Sequence, residues 1–227
     1  EAIEEAHGRP IVFPAVEIDA AADPDAVKAQ LKQAGGYDTL IFVSRNAVAH
    51  GFDLLPDTLP ASQQIAAIGA STAAMLEDCG LEPTLVPEQF DSDGLLALPA
   101  LADMAGKRVL ILRGNGGREL LADTLRQRGA EVDYAEVYQR LIPKRNAANL
   151  VAGWEKWVDV VTVTSGEILD NLIEMLGEDG LAKLQRTQLV VVSDRIAEQA
   201  RQRGLRKLHL AADATDQGLM KTLCELA

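Results

Sequence analysis

The segment Asp38-Thr39-Leu40-Ile41-Phe42-Val43-Ser44 comes back in kind as Asp159-Val160-Val161-Thr162-Val163-Thr164-Ser165, 121 positions further along. Other matches follow in the same order. Gly69 to Gly80 pairs with Ser193 to Gly204, and Gly94-Leu95 with Gly218-Leu219, both at an offset of 124. Gly8-Arg9 through Glu17 lines up with Gly129-Ala130 through Tyr138 at an offset of 121. A chain of 227 residues that carries one plan twice is constrained to two similar domains, not one large core.

The plan itself is α/β. Short β-branched runs (Thr39 to Val43, Ile65 to Ile68, Arg108 to Leu112, Val160 to Thr164, Leu189 to Val192) each end in small polar residues and lead into a helically spaced segment. Strand and helix in alternation predict parallel sheets covered on both faces. Ile168, Leu169, Leu172, Ile173 and Leu176 make one apolar helix stripe that stops at Gly177, and Leu120, Leu121 and Leu125 make another that stops before Gly129. Residues 10–21 and 133–143 look extended and occupy the same place in each copy, so they are expected to be linker strands. One domain is then continuous, 22–132, and the other combines 1–9 with 144–227. The second copy opens with a strand and loop, Gly106 to Asn115, whose counterpart would fall before residue 1, and an initial strand is expected there. The groove between two such domains, at the carboxyl ends of the strands, is the expected ligand site.

Composition limits what the ligand can be. With 48% hydrophobic and 25% charged residues the chain is an ordinary globular one, which excludes a disordered or collagen-like protein. A net charge of −12 and only 4% aromatic residues argue against a nucleic-acid partner, which needs phosphate neutralisation and stacking surfaces. No apolar run reaches the roughly 18 residues of a membrane span and no signal peptide opens the sequence, so a cytoplasmic protein without a membrane partner is expected. Cys79 and Cys224 are expected to be buried or partly buried free thiols. His7, His50 and His209 share no metal-like spacing, so no metal is expected.

The strand-end loops carry the chemistry. Ser44-Arg45-Asn46, Gly69-Ala70-Ser71-Thr72, Arg113-Gly114-Asn115-Gly116-Gly117-Arg118, Thr164-Ser165-Gly166 and Ser193-Asp194-Arg195 place hydroxyls, amides and glycines at helix starts, where free N–H groups favour carboxylate or phosphate. Each residue also fits an ordinary helix cap, and Asp91, Asp93 and Asp194 read most simply that way. Arg45, Arg113, Arg118 and Arg195 offset the acidic background. Gly114 to Gly117 lacks the lysine and hydroxyl of a P-loop and does not fit G-x-G-x-x-G, so no nucleotide cofactor is expected. No serine sits in a G-x-S-x-G elbow. Tyr138, on the second linker strand, either offers a phenolic proton or packs one domain on the other.

At these residues the chain resembles the uroporphyrinogen-III synthase family: Leu40 to Val48, Ala67 to Ala73, Leu112 to Arg118, and Val137-Tyr138-Gln139-Arg140, in this order and spacing, over nearly the whole length. The resemblance implies two α/β domains of Rossmann-like or flavodoxin-like type joined by a two-stranded ladder. It implies a hydro-lyase of tetrapyrrole and haem biosynthesis that closes hydroxymethylbilane to uroporphyrinogen III, with loss of water and inversion of ring D, in the interdomain cleft. No cofactor is implied, and a monomer is expected. By position Tyr138 matches the tyrosine proposed to assist hydroxyl departure, and Ser44, Ser71, Thr72, Arg113, Gly114, Asn115, Ser165 and Ser193 match cleft loops. Arg45 and Gly166 belong to the same loops. Ser193-Asp194-Arg195 departs from the small Thr-containing turn usual there, and an Asp repels a carboxylate unless Arg195 compensates. The rival reading is a two-domain sensor of small anions without catalysis.

Overall fold

The computed structural model describes residues 2–117 and 119–226. The chain divides into two compact units, Ile18–Arg140 and, discontinuously, Glu1–Glu17 with Leu141–Ala227. We refer to them as the continuous and the split unit.

Eight strands are present among the described residues: β1 (Glu17–Ala20), β2 (Thr39–Phe42), β3 (Gln64–Ala67), β4 (Arg108–Gly114), β5 (Glu131–Leu141), β6 (Val160–Val163), β7 (Gln188–Val191) and β8 (Leu208–Leu210). They form a five-stranded sheet in the order β1-β5-β4-β2-β3 and a three-stranded sheet in the order β6-β7-β8. The pairings β2·β3, β2·β4, β4·β5, β6·β7 and β7·β8 are all parallel. The mixed α/β architecture with parallel sheets is thus the one the strand–helix alternation predicts.

Residue type explains which strands are central. β2 is buried along its whole length and β4 from Val109 onward. Side chains alternate across a strand, so each strand feeds two cores. Leu40, Phe42, Leu110, Leu112, Ala135 and Val137 pack with Leu31, Val48 and Leu76 on one face. Ile41, Val109, Ile111 and Val132 pack with Leu95, Leu101, Leu121 and Leu125 on the other. In the split unit Val163, Leu189 and Val191 meet Leu169, Leu172, Leu176, Ile196 and Ala200. Ala15 and Phe13 join this core, and Asn171 donates Nδ2–H to the Ala15 carbonyl at 2.9 Å, which ties the N-terminal segment to a residue 156 positions later in the chain.

Several details differ from the sequence reading. Residues 133–143 were expected as a linker strand apart from the continuous domain; β5 instead runs along β4 and carries β1 on its other side, within the five-stranded sheet. Of the residues 10–21, only Glu17–Ala20 are strand. The stripe through Leu176 does end at Gly177, whose φ of 65° and ψ of −171° break the helical run Gly166–Leu184 in two. Cys79 and Cys224 are exposed, not buried: Cys79 caps the helix Ala70–Asp78 and Cys224 lies on the outer face of Asp216–Leu226. The turn before β5 holds Gly129 in the left-handed region, φ 93°, and its counterpart in the first copy is His7, φ 62°, one place before the aligned Gly8. Gly8 donates its N–H to Ile3 as Ala130 does to Leu125, five residues back in each case.

Candidate functional site

Four of the residues singled out in the sequence, Ser44, Arg113, Gly114 and Tyr138, line one cavity of about 190 Å³ in the continuous unit, together with Val43, Ile68, Ser92 and Arg140 among others. The cavity lies where β2, β3 and β4 end, the edge of a parallel sheet at which ligands bind. It is smaller than the ~300–1,000 Å³ of ordinary ligand pockets, so it accommodates one ring or the reacting end of a larger molecule. A larger hollow of about 720 Å³ lies in the split unit, between the helices Ala148–Ala152 and Gly166–Leu184. No strand end reaches it, and its Lys183 and Glu155 are paired with each other.

Tyr138 reaches the cavity through a backbone irregularity. Along β4 and β5 the register runs Arg113↔Glu136 and then Gly114↔Tyr138, so Val137 is an extra residue in a β-bulge. In a regular strand Val137 and Tyr138 would face opposite sides. Here both are buried in the same core as Ala135, while Val132 and Tyr134 pack on the other face. The ring of Tyr138 then lies flat against the β4 backbone: a Cβ at Gly114 would stand 2.5 Å from Cε2 and 2.6 Å from Cζ. Only glycine leaves room for it.

The Tyr138 hydroxyl is 3.2 Å from Ser44 Oγ. Ser44 caps the helix Arg45–Gly51, and its Oγ accepts the Ala47 N–H at 3.0 Å, which fixes the oxygen in place. With one lone pair taken by Ala47, Ser44 donates its own proton to Tyr138 or accepts the phenolic one. The first arrangement leaves the Tyr138 proton pointing to the cavity. The His50 ring, from the last turn of the same helix, sits 5.9 Å from the Tyr138 ring, centroid to centroid. His50 carried no signal in the sequence, where only its distance from the strand-end loop was visible.

Arg113 is turned onto its own loop. Buried at 6% exposure, it donates from Nε to the Gly114 carbonyl at 3.2 Å, from Nη1 to Glu119 at 3.1 Å, and from Nη2 to the Gly116 carbonyl. The guanidinium also lies 4.6 Å above the Tyr134 ring. Glu119 is held below the usual carboxylate range first by the Tyr134 hydroxyl and then by Arg113, while burial, reinforced by Glu119, pushes the Tyr134 phenol up. Arg113 therefore braces the turn in which Gly116 and Gly117 have φ of 65° and 111°, conformations that favour glycine. Asn115 is committed in a similar way. Its N–H bonds to the Tyr138 carbonyl at 3.1 Å and its Oδ1 accepts the Arg140 N–H at 2.6 Å, so its side chain prolongs the β4·β5 ladder. Arg140 and Ser92, absent from the sequence-derived set, line the cavity instead. Arg118 lies outside the described residues.

The remaining candidates stand at helix starts. Arg45 is exposed on the first turn after Ser44. Ser71 is exposed and Thr72 buried in the first turn of the helix Ala70–Asp78, whose cap is Gly69. In the split unit Ser165 Oγ accepts the Ile168 N–H at 3.1 Å and Ser193 Oγ accepts the Ile196 N–H at 3.4 Å, each capping its own helix. Gly166 is buried against Gln199, which donates to its carbonyl at 3.0 Å.

Repeated parallel α/β units with a buried phenol and a half-buried serine at the strand ends of one of them define a class: α/β proteins that hold a small molecule at the carboxyl edge of the sheet. Comparison with known proteins narrows the class. A family model described as "Uroporphyrinogen-III synthase HemD" matches residues 1–221. Uroporphyrinogen-III synthase of Escherichia coli strain K12 is 37% identical over 217 residues, 93% of this chain and 88% of that protein. Its Salmonella typhimurium counterpart is 36% identical over the same shares. Among solved structures, uroporphyrinogen-III synthetase from Helicobacter pylori aligns with a TM-score of 0.66 at 18% identity, covering 96% of both chains. A uroporphyrinogen III synthase mutant from Thermus thermophilus aligns at 0.64 and 19% identity, covering 99% of this chain and 91% of that one. The chain belongs to the uroporphyrinogen-III synthase family. Family and relatives indicate a lyase-type enzyme of haem biosynthesis and do not favour the anion-sensor reading. Among the described residues no helix is long and apolar enough to cross a membrane.

Proposed function

We propose that the chain dehydrates and cyclises hydroxymethylbilane to uroporphyrinogen III, with Tyr138 as the proton donor to the departing hydroxyl. The observation that carries this reading is the Tyr138–Ser44 hydroxyl pair, 3.2 Å apart at the wall of a cavity sized for one end of the substrate. Ser44, anchored by Ala47, donates to the phenolic oxygen, and the Tyr138 proton passes to the leaving hydroxyl as the C–O bond breaks and water departs. The substituted α-carbon of ring D attacks the resulting cation to give a spiro intermediate; the bond from that carbon to its original methylene bridge then breaks, and the released bridge carbon bonds to the free α-carbon of ring D, which gives up its proton. Ser44 then supports the phenolate until the proton lost on ring closure restores it. Arg45, exposed beside Ser44, and Arg140, in the cavity wall, are assigned to substrate carboxylates, and Arg113, engaged by Glu119 and the loop carbonyls, to the shape of the loop. The helix starts at Ser71 and Thr72, and at Ser165, Gly166 and Ser193, are assigned to further carboxylates, while Gly114 and Asn115 shape the cavity wall by seating the Tyr138 ring and holding Arg140. The same reading carries a cytoplasmic, monomeric enzyme.

The test is to supply fresh hydroxymethylbilane and separate the oxidised products by isomer. The type III isomer is expected to dominate; type I alone, from folded protein, overturns the reading. Positioning of the folded bilane supplies a large share of the rate, so Tyr138→Phe is expected to lower kcat on the order of 10²-fold without abolishing type III formation. An unchanged kcat would remove Tyr138 from the proton transfer.

A further inference from the structure

Phe90 is the most exposed aromatic side chain among the described residues, at 61%. It precedes the helix Ser92–Leu96, whose cap Asp91 accepts the Gly94 N–H at 2.8 Å, and it lies over the start of a second helix, Ala70–Asp78. A Cβ at Gly69 would stand 3.1 Å from Phe90 Cβ and 3.5 Å from its Cγ. Both neighbours of this contact belong to the cavity wall: Ile68 is next to Gly69, and Ser92 is two residues after Phe90. Phe90 therefore stands beside the wall of the candidate site.

A single exposed phenylalanine is unremarkable by itself. The repeat makes this one informative, because the second copy shows what the scaffold requires at the same place. At the offset of 124, Phe90 corresponds to Ala214, Asp91 to Thr215 and Gly69 to Ser193. Thr215 caps its helix as Asp91 does, accepting the Gly218 N–H at 3.1 Å, so the turn forms with alanine in place of the aromatic. Ser193 caps the neighbouring helix with its side chain, whereas Gly69 has none to offer. Phenylalanine with glycine in one copy thus replaces alanine with serine in the other. In the continuous unit Gly69 packs against the Phe90 Cβ and, at ordinary van der Waals distance, against its ring, which stays exposed. Fold stability supplies no reason for this exchange; a flat ligand does.

Building on the function proposed above, we infer that Phe90 is a substrate-binding residue, a platform on which one pyrrole ring of the tetrapyrrole stacks while another end of the molecule enters the Tyr138 cavity. A pyrrole is planar and presents a π face, which an offset aromatic partner matches. The test compares Phe90→Ala, Phe90→Leu and Phe90→Trp with the wild type, using hydroxymethylbilane for kinetics and uroporphyrinogen III under anaerobic conditions for calorimetric binding. The Ala and Leu variants are expected to raise KM and the product Kd roughly five- to twentyfold, the scale of one lost stacking partner, with kcat within about twofold. Trp is expected to restore both. The unfolding temperature is expected to stay put in all three, since the ring is exposed. Unchanged KM and Kd in Phe90→Ala, in a protein that still makes the type III isomer, overturns the stacking role alone. A wild type that makes no type III isomer overturns the functional reading and this inference with it. Equal losses in Ala and Leu accompanied by a lower unfolding temperature assign Phe90 to packing and overturn the inference.

Discussion

At their second helices the two copies of the repeat agree in backbone and disagree in what surrounds it. The helices Ala70–Asp78 and Asp194–Gln202 have the same length and end on Gly80 and Gly204, both at φ 83°. The bonds that close them match: Leu81 N–H reaches Leu76 at 2.9 Å, and Leu205 N–H reaches Ala200 at 3.0 Å. Even the isolated bridge Ala66↔Leu85 recurs, at the same offset, as the β7·β8 pair Val190↔His209. The differences gather at the strand ends. In the split unit Ser165 and Ser193 serve their own helices, while in the continuous unit Ser44 serves its helix and also meets Tyr138, Gly69 yields to Phe90, and Gly114 yields to the Tyr138 ring. A shared plan fixes where loops fall, and the asymmetric residues mark where one copy does more than fold.

The sharpest way to break this contrast is to add one methyl group to each unit. In Gly114→Ala the new Cβ collides with a ring locked in a core, 2.5 Å away, so Tyr138 or β4 must move. A loss of about 1–3 kcal/mol in stability is expected, as for other overpacked cores. Activity is expected to fall on the order of 10²-fold, because the phenol leaves its position. In Gly166→Ala the Cβ meets the Gln199 amide at 2.2 Å, the far end of a flexible side chain that can rotate aside. That variant is expected to lose about 1 kcal/mol, as the Gln199 bonds to the Gly166 carbonyl and Asp170 are exchanged for bonds to water. Thermal unfolding and initial rates of the two variants decide the matter; equal losses would mean that the strand ends of the two units are under the same constraint.

A smaller and nearly symmetric effect is expected at the helix ends. Gly80→Ala and Gly204→Ala each force a side chain into the left-handed region at φ 83°, for about 1–2 kcal/mol apiece; a Cβ at Gly204 also meets Gln185 Nε2 at 2.8 Å, the movable end of a flexible side chain, while Gly80 has nothing within 4 Å. Similar unfolding-temperature shifts for the pair would confirm that this turn belongs to the shared plan. A shift at one position only would show that the copies have diverged in backbone as well.

How far the sequence discloses these features follows from what each depends on. Strands, caps and left-handed glycines are local, so runs such as Thr39 to Phe42 and turns such as Gly80 are readable from a few neighbouring residues. Tyr138 was readable as a candidate, yet the bulge that turns it toward Ser44 was not, because one extra residue opposite Gly114 leaves no local mark. Arg113 shows the same limit from the other side. Its charge beside a glycine loop suits an anion, but Glu119, six residues on, and Tyr134, brought in by the β4·β5 pairing, take up that charge. His7 in a glycine's conformation shifts one turn of the repeat by a residue, and no alignment of residue types would find it.

The smallest expected effect compares two aspartates at the same place in the repeat. Asp38 accepts the Arg108 N–H at 2.9 Å and meets Lys107 Nζ at 3.2 Å, linking the starts of β2 and β4. Its carboxyl is held below the usual range first by that backbone N–H and then by Lys107. Asp159, its counterpart 121 residues later, is exposed and makes no side-chain hydrogen bond or ion pair among the described residues. Because the folded-state pKa of Asp38 is depressed, its contribution is fully present above the unfolded value of about 3.9 and is lost as pH falls through the folded one. The Asp38 side chain is 43% exposed, so solvent screening limits the gain to about 0.5–1 kcal/mol. Denaturant unfolding at pH 7 is therefore expected to show Asp38→Asn slightly destabilised and Asp159→Asn unchanged. The difference for Asp38→Asn should hold to about pH 5, narrow below pH 4 as the wild type protonates, and shrink at high salt. A gap that persists undiminished at pH 3 would mean that Asp38 acts through hydrogen-bond geometry alone and that its charge contributes nothing to joining the two strands.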